Sequence, residues 1–337
     1  QHDPERPLAA KSIRVWPESI RFTRPTDYTQ LVVQLTLDDG TIIDATKWID
    51  TDAADPDILD FRSGSVIQPG ANGKTDLIVR VADREATIPV EIDLPEQFVP
   101  ELRLDVNPAL TKLGCNAGTC HGSAAGKMGF KLSLRGYDPI FDYRAFTDDM
   151  GSRRTNLASP DDSLMLAKPS SAVPHSGGHL FNKNSKHYKI IREWIAAGAP
   201  HNMNAAKVVK VELFPKNPVV PLPSEGKKFP GHQQMRLVAT YSDGSIRDVT
   251  CDGVIEVGGM ETARVHGSGR VEALRQGETP VIGRYEGAFT ATMLTVMGDR
   301  EGFAWSEPET ANQIDKLVAN KWQRLKIKPS ELCDDYE

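Results

Sequence analysis

The sequence predicts a multidomain chain: an all-β sandwich, then a mainly α segment, then a second all-β sandwich followed by a C-terminal helix. Three observations predict it. Residues 12 to 95 alternate apolar with polar side chains in short runs, broken by Asp39-Gly40 and Asn72-Gly73, as half-buried strands joined by tight turns do. The run LVVQLTLDDGTIIDAT at 31 to 46 returns as MRLVATYSDGSIRDVT at 235 to 250, so one unit is expected twice. Between the copies, from about 100 to 203, helix start and stop marks replace the alternation. The expected boundaries are 1–98, 99–205, 206–298 and 299–337.

Within the repeat, Asp39-Gly40 falls on Asp243-Gly244, and Asp44 with Thr46 falls on Asp248 with Thr250. Each copy is preceded by an I-x-V-x-P or V-x-L-x-P strand and closed by ATIPVEI or ATMLTVM. Asp39-Gly40 and Asn72-Gly73 are both expected to close hairpins. In the middle segment, Asn107-Pro108, Asp138-Pro139 and Ser159-Pro160 each pair a capping residue with proline at the first helical position. SKHYKIIREWIAAGAP is the clearest helix: Tyr188, Ile191, Trp194 and Ile195 share a face, Ser185 caps the start, and Gly198 then Pro200 end it. Trp194 reads as its packing aromatic. After the linker GDREGFAWSEPE, a helix from Thr310 to about Leu325 repeats Ile314, Leu317, Val318 and Trp322 at helical spacing. It is expected to open a further domain, and to dock on the preceding sandwich or fray.

Composition bounds the function. The chain has 337 residues and a net charge of −6, with the signs well mixed. That argues against a nucleic-acid binder or a polybasic membrane surface. No apolar run approaches the roughly 20 residues that span a bilayer, so no membrane insertion by this stretch is expected. The opening QHDPERPLAA lacks the basic and apolar parts of a leader, and Gln1 fits a chain from which one has been removed.

The chemistry concentrates in LGCNAGTCHG, residues 113 to 122, where four residues separate Cys115 from Cys120 and His121 follows directly. Two thiols could form thioethers to a haem while His121 is carried under the iron; Gly114 and Gly118 would let the longer loop bulge. The same residues could supply three of four zinc ligands, or Cys115 and Cys120 could pair as a disulfide with His121 incidental. Cys251 and Cys333 stand alone.

The motifs that follow carry a resemblance. GCNAGTCHG is followed in order by GKMGFKLSLRG, PDDSLML, VPHSGG and WIAAGAP. In this series the middle segment resembles the planctomycete-type cytochrome c domain, and the flanking repeats resemble bacterial Ig-like group 2 domains. The resemblance implies one covalent haem c on Cys115 and Cys120, with His121 as the proximal iron ligand. Related domains place a methionine in the loop that here reads AVPHSGGHLF, which makes His175 the expected distal ligand and His179 the runner-up. Met128, Met150, Met165, His187 and His201 are weaker candidates, and His2, His232 and His266 are expected in a tail and in solvated loops. Arg135, Arg153, Arg154 and Lys168 are candidates for the haem propionates. A bis-histidine iron has no open position and a lowered potential.

The function that follows is a mono-haem electron-transfer module, not itself a catalyst, exported to the periplasm or cell surface. Its expected partner is a redox protein or a downstream domain of the same chain. The alternatives are a cell-surface binding or adhesion protein in which haem is structural, its sandwiches touching surface polymers, and a haem enzyme with an open iron. Trp16, Trp48, Tyr28 and Tyr241 are the aromatics a polymer platform would need, though they form no cluster in sequence.

Overall fold

A computed structural model describes residues 9–222, 231–267, 269–298 and 302–330, with the side chains of 62 and 63 left aside. Six sheets form within these residues, three in each copy of the repeat. In the first copy Val32–Thr36 lies between Ser12–Trp16 and Ile42–Asp44; a second sheet orders Ile20–Phe22, Arg84–Ile92, Gly73–Val81 and Asp50–Ala53; a third orders Thr29–Gln30, Val66–Pro69 and Leu59–Ser63. The second copy repeats all three: Val208–Phe214, Arg236–Tyr241 and Ile246–Asp248; then Val219–Pro221, Ala288–Met297, Gly277–Tyr285 and Val254–Val257; then His232–Gln234, Arg270–Ala273 and Ala263–Val265. Even the one parallel pairing recurs, with Ile20 beside Val90 in one copy and Val219 beside Thr295 in the other.

Alternation explains the cores. Leu31, Val33, Leu35, Leu77, Val79 and Ile88 turn inward in the first sandwich, and Leu213, Leu237, Ala239, Val281 and Leu294 in the second. The Asp-Gly turns are built alike. Thr41 N donates to Asp39 Oδ1 at 2.8 Å and Ser245 N to Asp243 Oδ1 at 2.9 Å, while Gly40 and Gly244 take φ of 78° and 84°, which glycine adopts without steric cost.

Asn72-Gly73 does not close a hairpin. The strand before it, Val66–Pro69, pairs with Thr29–Gln30 and Leu59–Ser63 rather than with Gly73–Val81, so the dipeptide lies on a crossing between sheets. Asn72 is instead a clasp: Leu94 N donates to its Oδ1 at 2.7 Å and its Nδ2 donates to Leu94 O at 3.0 Å. The hairpin partner of Gly73–Val81 is Arg84–Ile92, turning at Ala82 with φ 53°.

The expected mainly α cytochrome c-like domain is not what the chain forms. The described residues are mainly β, and helix accounts for 19% of them. Residues 99–205 hold short helices, Asn107–Lys112, Pro139–Thr147, Gly151–Arg154, Leu164–Ala167 and Lys186–Ala196, separated by long irregular stretches. Glycine- and proline-rich stretches such as HGSAAGKMG and VPHSGGH occupy the connections between them instead of extending the helices. Only Lys186–Ala196 reaches three turns. Ser185 Oγ accepts from Tyr188 N at 3.2 Å, Gly198 with φ 92° follows its end, and Trp194 is fully buried with its indole N–H donating to Pro200 O at 2.8 Å. Around it pack Leu102, Val106, Leu110, Phe146, Leu166, Tyr188, Ile191 and Ile195.

Two caps differ from expectation. Asn107 is buried inside a continuous helical stretch that opens with the π-turn Leu102–Val106, capped by Glu101, whose Oε2 accepts from Arg103 N and Leu104 N at 2.6 and 2.9 Å. Ser159 spends its hydroxyl on Asp162 Oδ2 at 2.6 Å. Asp138 does cap, accepting from Phe141 N at 3.1 Å. The last helix, Gln313–Arg324, starts from an Asn312–Asp315 capping box and docks on the second sandwich, Lys321 Nζ to Glu278 Oε2 at 2.8 Å and Arg324 Nη1 to Asn217 O at 3.2 Å. It buries Ala319 and Leu325 there, leaving Ile314 and Leu317 exposed.

Candidate binding site at the cysteine–histidine loop

The loop leaves the helix Asn107–Lys112 through Gly114, φ 77°, and folds back on itself by backbone bonds: Cys115 N to Leu110 O at 2.9 Å, His121 N to Cys115 O at 3.0 Å, Leu132 N to His121 O at 2.8 Å. Gly122 is dictated by space, since a Cβ there would stand 2.0 Å from Asn116 O. Gly122→Ala is therefore expected to lower stability by about 2 kcal/mol, the ordinary cost of forced overpacking. Gly118→Ala, whose Cβ would meet only Leu134 Cδ1 at 3.7 Å, is the near-neutral control. Thermal melts of the two variants check the difference.

Cys115 and Cys120 are both half-buried free thiols. Burial, with Cys120 adding to it, pushes the Cys115 thiol up to about 12, so it is no thiolate nucleophile at neutral pH. The His121 ring tilts against Phe130 with centroids 4.6 Å apart, and its Nδ1–H donates to Phe130 O at 3.0 Å. Burial holds His121 below its ordinary value; His175, Lys168 and Arg154 lie close enough to press it further down. His175 is held likewise, Nδ1–H donating to Gly178 O at 2.9 Å. With each Nδ1 engaged by a carbonyl, Nε2 is the nitrogen left as acceptor on both rings, the tautomer a ligating histidine needs.

The remaining candidates scatter. His179 is exposed beside Ser170 O at 3.2 Å. Arg135 and Arg153 are exposed. Arg154 is buried and committed, donating to Ala145 O at 2.6 Å and Gly129 O at 3.1 Å with its guanidinium 4.6 Å from the Phe130 ring. Lys168 Nζ reaches Pro174 O at 3.4 Å. Met165 packs in the core, while Met128 and Met150 are exposed. His201 stacks on Tyr143 at 4.9 Å, and burial lowers His187. His232 is not a solvated loop residue: it lies buried in the strand His232–Gln234, against Trp48 of the other sandwich with centroids 6.5 Å apart. Cys251 is half-buried, and burial pushes its thiol up to about 11. His2 and Cys333 lie outside the described residues.

Sequence inspection missed two features. Large apolar side chains around the loop face solvent: Met128 and Tyr137 are 102% and 83% exposed, and Leu134 and Phe141 lie beside them in sequence and are also exposed. They stand at irregular spacing, so no periodicity announces them. An open groove of about 700 Å³ also crosses the first sandwich, lined by Ser19, Arg21, Asp55, Lys74, Asp76 and Glu91 among others.

Among the described residues no group of three or more His, Cys, Asp or Glu side chains could hold a metal ion, and no helix is long and apolar enough to cross a membrane. No family model matches the chain, and no curated protein matches it. Solved structures with some likeness are β domains. Domains 5-6 of the S-layer protein SbsC are 9% identical at a TM-score of 0.34, covering 87% of this chain and 99% of that one. The Drosophila OTK extracellular domains 3-5 are 7% identical at 0.18, covering 85% of this chain and 61% of that one. Human protocadherin-24 EC1-2 is 8% identical at 0.18, covering 87% and 100%. Likenesses this slight carry no argument of their own. Neither the comparisons nor the mainly β fold supports the cytochrome c resemblance, and the expectation of an electron-transfer cytochrome with a redox partner is set aside with it.

Proposed function

We propose that this chain is an exported, cell-surface binding protein whose two Ig-like sandwiches form the frame and contact surface polymers. In this reading haem c is structural. The observation that carries the binding reading is the duplicated sandwich frame with a charged groove open on its first copy. The haem suggestion rests on the middle loop, with two free thiols, two imidazoles held in the same tautomer and exposed apolar side chains nearby. That donor set fits haem c. Cys115 and Cys120 would hold it covalently, with His121 and His175 presenting Nε2 to the iron. When bound it would supply a large apolar group beside side chains that water otherwise meets at an unfavourable free energy. The chain's own part is to fix both imidazoles through Phe130 O and Gly178 O. Export follows from the chemistry of attachment, which takes place outside the cytoplasm. The charged groove on the first sandwich offers Arg21 and Lys74 beside Asp55 and Asp76 to a polar polymer.

Production in cells able to attach haem c, followed by a pyridine haemochrome assay, tests the cofactor. A covalent signature lost in Cys115→Ala/Cys120→Ala is expected, together with a higher melting temperature for the loaded protein. Co-sedimentation with purified cell-wall polysaccharide tests the frame, and Arg21→Ala/Lys74→Ala is expected to weaken it several-fold. Loaded and unloaded proteins of equal stability would overturn the structural role. No sedimentation with any polymer would overturn the binding role.

A further inference from the structure

The two sandwiches meet each other through matching residues. Asp44 accepts from Thr46 N at 2.8 Å with Oδ1, inside its own copy, and from Gln234 N with Oδ2, across the junction. Asp248 does the same in reverse: Oδ1 accepts from Thr250 N at 3.0 Å at home, and Oδ2 accepts from Gln30 N at 2.9 Å across. The offset that carries Asp44 onto Asp248 also carries Gln30 onto Gln234. It carries Tyr28 onto His232 and Trp48 onto Asp252 as well. Those positions touch reciprocally too: the His232 ring lies 6.5 Å from that of Trp48, and Tyr28 Oη accepts from Asp252 N at 3.1 Å and Cys251 N at 2.8 Å. Residue i of one copy meets residue j of the other, and j meets i. That reciprocity is the signature of an isologous interface, the kind identical subunits form about a two-fold axis.

Both carboxylates are sealed, at 1% and 0% side-chain exposure. A buried carboxylate is stable only when its oxygens are engaged. Asp44 Oδ2 relies on the facing copy, while Asp248 Oδ2 shares its crossing bond with Arg236 Nε of its own copy, 2.7 Å away.

We infer that the face carrying Asp44 and Gln30, or Asp248 and Gln234, is a self-pairing surface whose fitting partner is any copy of the same repeat, including one on a second copy of this chain. In the intact chain the two faces saturate one another. Disabling one face frees the other, and the freed face pairs with its equivalent on a second molecule, where Asp44 meets Gln30 N twice or Asp248 meets Gln234 N twice. The side chains at the flanking positions permit both pairings: Tyr28 would face Trp48 in one, and His232 would face Asp252 in the other.

The test uses the full chain, with mass from sedimentation equilibrium and maximum dimension from small-angle X-ray scattering. Asp44→Lys and Asp248→Lys are each expected to double in mass at micromolar concentration. The double variant Asp44→Lys/Asp248→Lys is expected to stay monomeric with a longer maximum dimension than the parent. Gln30→Pro and Gln234→Pro serve where a lysine variant fails to fold, because each removes one crossing N–H donor and leaves the aspartate turns intact. They too are expected to dimerise singly and not together. A single variant that stays closed, or that opens and remains a monomer, overturns the inference, as does a double variant that dimerises as readily as the singles.

Discussion

Trp194→Ala is expected to cost about 4 kcal/mol, in the range for removing a fully buried aromatic side chain. Trp194 has no exposed surface, sits edge-on to Phe146 with centroids 6.5 Å apart, and belongs to the single core that holds the short helices together. Its indole N–H also ties the helix Lys186–Ala196 to the chain leaving it, at Pro200 O, 2.8 Å away. The loss should fall on the middle segment first. Hydrogen exchange at Ile190 to Ile195 should accelerate strongly while Leu237 to Ala239 of the second sandwich stays protected. Equal acceleration in both would show that the segment and the sandwich unfold as one.

Glu286→Gln should reduce a decline in stability on the alkaline side. Glu286 forms the tip of the turn between Gly277–Tyr285 and Ala288–Met297 and points into the junction where the sandwiches meet the π-turn Leu102–Val106. Its Oε1 is sealed from solvent and makes no hydrogen bond. Burial pushes its carboxyl up to about 8; Arg247 and Arg103 oppose the rise, and Glu101 and Asp105 add to it. The sign follows from proton binding. The folded state holds a proton that the unfolded state releases above 4.5, so stability falls as pH rises from there through about 8. Asp142, also raised by burial, to about 6, acts lower, and the lowered His121 and His187 act below the ordinary histidine value. Between about pH 6.5 and 9 Glu286 is expected to contribute a loss of about 2 kcal/mol, and Asp44, also raised by burial, acts in the same direction. Urea melts across that range should show the slope in the parent and a shallower one in Glu286→Gln. A slope unchanged in the variant would assign the ionisation elsewhere.

The junction around Glu286 also shows where a sequence stops being readable. Arg247 donates to Asp27 Oδ1 at 3.0 Å and to Leu104 O at 3.4 Å, and Arg24 pairs with Asp105. These contacts join residues far apart in the chain, and each looks like an ordinary surface charge in its own stretch. His232 was equally opaque: its strand neighbours are glutamines, and it is buried against Trp48 and Asp44 of the other sandwich. Asn72-Gly73 failed for a related reason. A dipeptide that permits a hairpin does not say which strand will be the partner, and the sheet switch there was decided by pairing with Thr29–Gln30. The middle segment carried strong local signals, and its motif order suggested a compact helical domain. Its glycines and prolines instead limited the helices to a few turns.

What local residues could dictate, they did. Alternation set the strands, Asp-Gly set two turns through αL glycines, Ser185 and Gly198 bounded the longest helix of the middle segment, and the duplicated D-x-T announced two units of one design. The D-x-T aspartates mark the limit of that reading. One oxygen of each caps a turn two residues away, a contact local to its own copy. The other crosses to a backbone N–H in the opposite sandwich, and a backbone N–H has no side-chain identity for a sequence to display. The duplication could be read from the chain. The pairing of the sandwiches came only with the tertiary structure, because it rests on long-range contacts to groups that every residue carries.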